Sequence, residues 1–445
     1  MSTAPSDVVY HRRRPVLGDR LASLQKTPQY ATNRIEQWLL LATVALFPMQ
    51  EQIAVGGFSV MYLLFAAQAA YVIAKCPDCF AQTWLHPLLL AVYVFLCIGF
   101  VMEMTHPGST YTEIYRMMQT FVGGIFVASV CRDRKALQSA MYGYLIVGAF
   151  TSIILFRSSY GALSGATAID YGEADRVRDE VFAESPLQWN LNGLAFVTAQ
   201  GTGVALALAL TTLSRWRRYV FLAIALGCFV ATFLPMSRSG VAILLGVCAS
   251  VVLSYGIGRI KTVMIAVVIG AVMLTLVPGA VFSRLSFSTE ADQWGRMEGR
   301  AAVYTAFFHH LPEVVISGVG AGNFWGAWGR QSQFSSGRAV AGAHNIFFQM
   351  TIYWGLPALL GLFGIIYQAY RCLPGRYRND PLAMGILCIA VSLLLWSLTV
   401  HNLYDKTFGL GVGLLAGAHY WIWSKPSMSA RSPRRRLSTA WKQQR

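Results

Sequence analysis

Arginine and histidine are the side chains in this sequence whose types and settings point to chemistry. Arginine presents a rigid fork of donors that can hold phosphate oxygens two at a time, and histidine can take up a proton near neutral pH. Arg238 stands in Ser237-Arg238-Ser239-Gly240, between two apolar runs. A tight turn there would hold its guanidinium at a membrane boundary, level with a lipid phosphate; the alternative is simple snorkelling to the interface. Arg300, in Gly299-Arg300, comes near the start of a stretch from Met297 to His310 that reads as an amphipathic helix. A helix start is a favourable place for an anion. Ala301, Tyr304, Phe307 and Phe308 share one face of that helix, Pro312 follows its end, and the helix is expected to lie along the interface. His344, in Gly342-Ala343-His344-Asn345, sits at the lip of the next apolar run and is a candidate base. His401-Asn402-Leu403-Tyr404-Asp405 ends another run at the same level, whereas His309 and His310 read as interfacial surface residues.

Arg157, Arg284, Arg296, Arg330 and Arg338 are either further phosphate ligands or partners of nearby acids. Arg176 and Arg178 sit among Glu173, Asp175, Asp179 and Glu180, and pairing with those acids is the better reading. Gly318-Val319-Gly320-Ala321-Gly322-Asn323 has a faint likeness to a dinucleotide fingerprint, but no βαβ unit surrounds it. Its glycines are expected to allow close packing under a substrate. Glu173 and Asp175 could imitate a metal-holding acidic pair, and Cys76-Pro77-Asp78-Cys79 has the spacing of a metal knuckle without a second pair. Neither is read as a metal site, and no cofactor is expected. P-loop, nucleophile-elbow and His-Glu-x-x-His motifs are absent from the sequence.

The elements that must position these residues follow from composition. Of 445 residues, 55% are hydrophobic and 13% charged, with a mean hydropathy of +0.48. That charged share is about half the value usual for a soluble domain, so the fold class is an all-α polytopic membrane protein. Apolar runs of about 20 residues, enough to cross a bilayer, fall near 37–55, 57–74, 86–104, 114–131, 137–156, 189–213, 219–236, 240–257, 262–282, 345–370, 382–401 and 408–424. This organisation reads as a basic N-terminal segment at 1–36, nine spans within 37–282, a large loop at 283–344, three spans within 345–424 and a basic tail at 425–445. Segments on the side of the termini sum to +19 and the opposite side to −3, which accounts for the net +16. The positive-inside rule then places both termini in the cytoplasm and the large loop outside. The basic charge is a topology signal; the Arg431–Arg436 tail can also touch anionic lipid heads, and nucleic acid is a poor second reading.

Of eleven basic residues on the outer side, ten are arginine, which topology does not require. The stretch before the first span is not read as a signal peptide. None of the eight cysteines falls in an outward loop, so no disulfide framework is expected. Span middles nearly lack ionisable groups, which argues against an ion-driven pump. Function is therefore expected at the outer face, on a phosphate-bearing ligand.

Taken in order, these segments resemble the O-antigen ligase family, which shares a domain with the O-antigen polymerases. Ser237-Arg238-Ser239-Gly240 opens a span like the family's Ser-Arg-Gly segment. Gly299-Arg300, the aromatic helix, Pro312 and Gly318 to Phe324 are similar to its large periplasmic loop. His344-Asn345-Ile346-Phe347-Phe348-Gln349 and Trp354-Gly355-Leu356-Pro357 are similar to its following helix. The resemblance covers roughly 190 to 410, and a related His-Asn occurs in the polymerases. It implies a metal-independent, inverting glycosyltransferase of the GT-C type in the bacterial inner membrane, acting in lipopolysaccharide biosynthesis. The implied partners are a glycan on undecaprenyl pyrophosphate and a lipid A–core oligosaccharide acceptor. It also implies that Arg238 and Arg300 hold the pyrophosphate, that His344 serves the acceptor hydroxyl and that Asp405 orients one of them. Asn345 and Arg157 are carried as further substrate-binding candidates. A polymerase, a protein O-oligosaccharyltransferase and a lipid-glycan transporter are the alternatives.

Overall fold

The computed structural model describes residues 32–47, 54–55, 58–106, 110–160, 191–255, parts of 270–282, 291–332, 334, 342–374, 380–399 and 405–424. Both tails, most of the ninth expected span and most of the stretch between the expected spans 137–156 and 189–213 lie outside the described residues. So do Glu173, Asp175, Arg176, Arg178, Arg284, Arg338, His401, Asn402 and Tyr404, and the side chains of 291–302. The described residues form one unit that starts at Thr32.

The elements are helical apart from a two-residue antiparallel pair, Ala54–Val55 with Phe58–Ser59. In chain order the helices are α1 Arg34–Leu46, α2 Val60–Lys75, α3 Pro77–Trp84, α4 Pro87–Thr105, α5 Thr112–Val130 and α6 Arg134–Leu155. Then follow α7 Leu191–Thr211, α8 Arg215–Phe233, α9 Arg238–Tyr255, α10 Ala291–Val314, α11 Ala321–Trp325 and α12 Ala327–Gln331. The last are α13 Ile346–Cys372, α14 Pro381–Ser397 and α15 Lys406–Gly417. Among the described residues, five helices are long and apolar enough to cross a membrane, or up to six if the bent pair α2–α3 is one span. These five are α4, α6, α7, α8 and α13; α1, α14 and α15 stand where spans are expected but have only 13, 17 and 12 residues.

α7 is the hub. It packs against α6, α8, α9 and α14, and it is apolar on nearly every face, as a helix enclosed by others must be. Its few polar side chains are short and paired: Gln200 donates to Ser392 at 2.8 Å and Thr232 to Thr198 at 3.0 Å. α15 meets α5 through a stripe of small residues. A methyl at Gly409 or Gly413 would run into the backbone carbonyls of Thr120 or Gly124, and one at Gly417 into that of Ala128. Small residues every fourth position let two helices in a membrane approach closely, where dispersion and backbone contacts replace the hydrophobic effect.

One end of the bundle is stitched by charge. The buried Glu36 and Arg132 pair at 2.5 Å, Asp133 accepts from the Thr32 amide and hydroxyl, and Arg134 grips Asp380 with two bonds. These residues fall in segments expected at the cytoplasmic side.

Candidate functional site

Arg238 is the first residue of α9, after a turn in which Met236 has φ 52°. The left-handed region is costly for any residue with a Cβ, and methionine has no local polar group to offset it. The turn is held from both sides. Ser237 Oγ donates to Asn192 Oδ1 at the start of α7 (2.7 Å), lies 2.9 Å from Ser239 Oγ and accepts from the Gly240 amide at 3.1 Å. Gly240 itself packs onto Ala195 of α7, where a Cβ would collide. The serines and glycine of this motif therefore position the arginine's backbone, and its side chain is half-buried.

His344 also has a left-handed backbone, φ 50°, and is half-buried. Among the described residues, Met236 and His344 are the two non-glycine positions with positive φ. Asn345 caps α13: its Oδ1 accepts from the Phe347 and Phe348 amides at 2.9 and 3.4 Å, and its Nδ2 donates to the Leu398 carbonyl at 3.3 Å. Ahead of it, the Ala343 amide donates to Gln349 Oε1 at 2.7 Å. The histidine is thus clamped on both sides by backbone bonds. A run of contacts joins it to the first motif: Asn345 to Leu398 at the end of α14, Trp396 stacked on Phe196 of α7 at 4.9 Å, and Asn192 to Ser237. The two motifs stand at the same end of the bundle.

α10 is longer than the sequence predicts. It runs from Ala291 to Val314 with Pro312 inside its last turn, rather than ending before that proline. Its aromatic face does not lie free along an interface. Phe307 stacks on Phe348 of α13 at 4.0 Å, and Tyr304 meets the same ring edge-on at 5.2 Å. Arg300 precedes Tyr304 by one turn of this helix; its side chain lies outside the described residues.

The glycine-rich segment packs into a break in the next long helix. α13 is broken at Gly355 (φ 65°, ψ −152°), and residues 315–320 bond into the break. The Val319 and Gly320 amides donate to the Ile352 and Tyr353 carbonyls at 2.9 and 2.8 Å, and the Leu356 amide donates back to Val315 O at 2.7 Å. Gly318 (φ 70°) lies against the Tyr353–Trp354 backbone and Gly355 against the Ile316–Ser317 backbone, so closely that a Cβ at either would collide. The close packing expected of these glycines is therefore against the backbone of α13.

The C-terminal end of α4 locks this joint through Glu103, which carries no motif in the sequence. Its buried carboxylate accepts from the Ala321 amide at 2.6 Å and from Trp354 Nε1 at 2.8 Å. His106 Nε2 lies 3.1 Å from the Gly318 carbonyl. A signal existed, since an acid inside an otherwise apolar run needs a partner.

The remaining candidates are placed as follows. Asp405 caps α15 by accepting from the Thr407 amide at 3.0 Å, and Lys406 lies over the Tyr62 ring at 4.4 Å. Arg157 is exposed on the π-helical turn Phe156–Tyr160 that continues α6. Arg330 ends α12 and is exposed, and Arg116 pairs with Glu113 at 2.9 Å. His310 contacts Glu313 at 3.1 Å and the Trp328 ring, so it belongs to the packed segment rather than to a bare surface.

Residues 223–363 match a family model described as O-antigen ligase. The match supports membership of that family, and with it a ligase- or polymerase-type glycosyl transfer in lipopolysaccharide biosynthesis by a multi-pass membrane protein. It spans α8 to the middle of α13 and so includes Arg238, Arg300, His344, Asn345 and the broken-helix joint, while Arg157 and Asp405 fall outside it. No curated protein matches the chain.

Proposed function

We propose that this chain, in which residues 223–363 match an O-antigen ligase family model, is an O-antigen ligase of the bacterial inner membrane. It moves a glycan from undecaprenyl pyrophosphate to a hydroxyl of lipid A–core oligosaccharide at the periplasmic face, without a metal and with inversion. The observation that carries the reading is the pair of left-handed residues, Met236 and His344, at the two motifs. Non-glycine residues persist in such conformations only where surrounding structure over-determines them, and such sites cluster at function.

Arg238 and Arg300 bind the diphosphate, whose charge grows as the sugar–oxygen bond breaks; fixed donors there lower the barrier. His344 takes the proton of the acceptor hydroxyl as that oxygen attacks the sugar carbon, and the diphosphate leaves from the opposite face. Asn345 holds the histidine's backbone. Asp405 orients the start of α15 beside the site, and Arg157 supplies charge at the rim for the donor.

The test is gel analysis of lipopolysaccharide from a deletion strain. Loss of all polymer on core, with polymer accumulating on the lipid carrier, is the outcome for a ligase. Core bearing one repeat would instead indicate a polymerase, and unaltered lipopolysaccharide with an unglycosylated protein a protein O-oligosaccharyltransferase. A transporter would want polar groups along the interior, and the hub helix α7 pairs its few polar side chains with its neighbours.

A further inference from the structure

At the other end of the same helices, three metal-binding side chains converge. His86 precedes α4, Cys372 ends α13, and His419 sits just beyond α15 in the π-helical turn Ala418–Trp423. One ligand atom from each lies within 4.8 Å of the other two. His86 Nε2 is 3.1 Å from His419 Nδ1 and 4.0 Å from Cys372 Sγ. His86 and Cys372 are buried, at 2% and 3% exposure, and His419 is half-buried.

We propose that His86, Cys372 and His419 form a binding site for a zinc-like divalent cation that ties three helix ends together. Zinc bonds of about 2.0–2.1 Å to nitrogen and 2.3 Å to sulfur, at tetrahedral angles, set neighbouring ligand atoms roughly 3.3–3.6 Å apart. The His86–His419 and His86–Cys372 separations need shifts of only a few tenths of an ångström to meet that geometry, and the Cys372–His419 pair, within 4.8 Å, closes by rotation of the two side chains. Two imidazoles with one thiolate is a donor set that zinc accepts, with a water completing four-coordination. The π-turn is a second pointer, because widened turns within helices recur at functional positions. Nothing in the proposed glycosyl transfer uses these residues, and they stand at the opposite ends of α4, α13 and α15 from Glu103, Asn345 and Asp405.

Metal-free, the same rings make a different arrangement. His86 Nδ1 accepts from the Leu88 amide at 3.2 Å as the N-cap of α4, which leaves the proton on Nε2, facing His419. Binding replaces that Nε2 proton with the cation, moves a proton to Nδ1 and gives up the cap bond. The Cys372 thiol releases its proton to solvent in the same step.

The experiment uses the full chain purified in detergent. Elemental analysis is expected to find a single zinc per chain. Replacing it with cobalt is expected to produce tetrahedral d–d absorption and a thiolate-to-cobalt charge-transfer band. Cys372→Ser removes the charge-transfer band, His86→Ala and His419→Ala lower affinity at least tenfold, and Cys97→Ser, an exposed thiol elsewhere, changes neither. Wild-type protein without zinc and without a cobalt band would overturn the proposal in favour of the histidine–histidine hydrogen bond. A charge-transfer band that survives in Cys372→Ser would overturn it as well, by locating the metal elsewhere.

Discussion

His344 combines an imidazole with a backbone that only a clamped residue keeps. A left-handed non-glycine costs about 1–3 kcal/mol, and here the Asn345 cap and the Ala343–Gln349 bond hold it. His344→Ala is expected to lower ligation by about 10²–10⁴, the usual loss of a general base, while donor binding is retained. His344→Gln keeps hydrogen bonding but cannot take up a proton, so ligation by it at near wild-type rate would reduce His344 to a positioning residue. Arg238→Ala is expected to cost about 10²–10³ in rate, by analogy with loss of one preorganised donor. Arg238→Lys should recover little of this, because lysine lacks the fork. Initial rates with purified lipid-linked donor check both. Arg238 and His344 stand out in the sequence because they are chemically odd in apolar surroundings, and their roles rest on the proposed function. Glu103 was not legible, because what explains it lies 218 and 251 residues away, in Ala321 and Trp354. Met236 was illegible too, since nothing in its type announces a left-handed turn.

At the scale of elements, the joint between residues 315–320 and the break in α13 depends on two glycines for two reasons each. Gly318→Ala and Gly355→Ala meet both a positive φ and an opposing backbone. Each is expected to lose at least about 1–3 kcal/mol from the backbone term alone, read as a lower Tm in detergent. Glu103→Ala leaves two buried N–H groups without their acceptor, at about 1–3 kcal/mol each, and should raise amide exchange at 319–325. The sequence placed Gly318, Gly320 and Trp354-Gly355 among its telling residues and pointed to close packing at the glycines, but not to the partner they pack on. Period and composition locate a helix; they do not disclose that a second segment is bonded into its middle. The helix from Met297 was legible from its aromatic face, although its partner, Phe348, and its continuation through Pro312 were not.

For the whole molecule, the asymmetry of +19 against −3 is a statement about orientation. Reporter fusions after 75–85, 214–218 and 425 are expected to read cytoplasmic, and fusions within 283–343 periplasmic. A cytoplasmic reading for the latter would remove the site from the compartment its substrates occupy. The polytopic helical fold was plain from hydropathy, whereas the number of spans was not. Runs such as α1 and α14 are apolar enough to suggest spans, yet among the described residues their helices have 13 and 17 residues, at or below the short limit for crossing a bilayer.

Glu103 also sets a clock. A ribosome adding about 5–20 residues per second needs roughly 10–40 s to advance from Glu103 to Ala321. For that interval α4 lacks the two donors that Glu103 accepts from in the finished protein, the Ala321 amide and the Trp354 indole. The newborn protein therefore passes through a stage that differs chemically from the finished one, and a quality-control protease could read that difference. Chains truncated before Ala321 are expected to turn over faster than full-length chains in a pulse-chase experiment, and Glu103→Gln, which replaces the acid with a neutral amide, should narrow the gap.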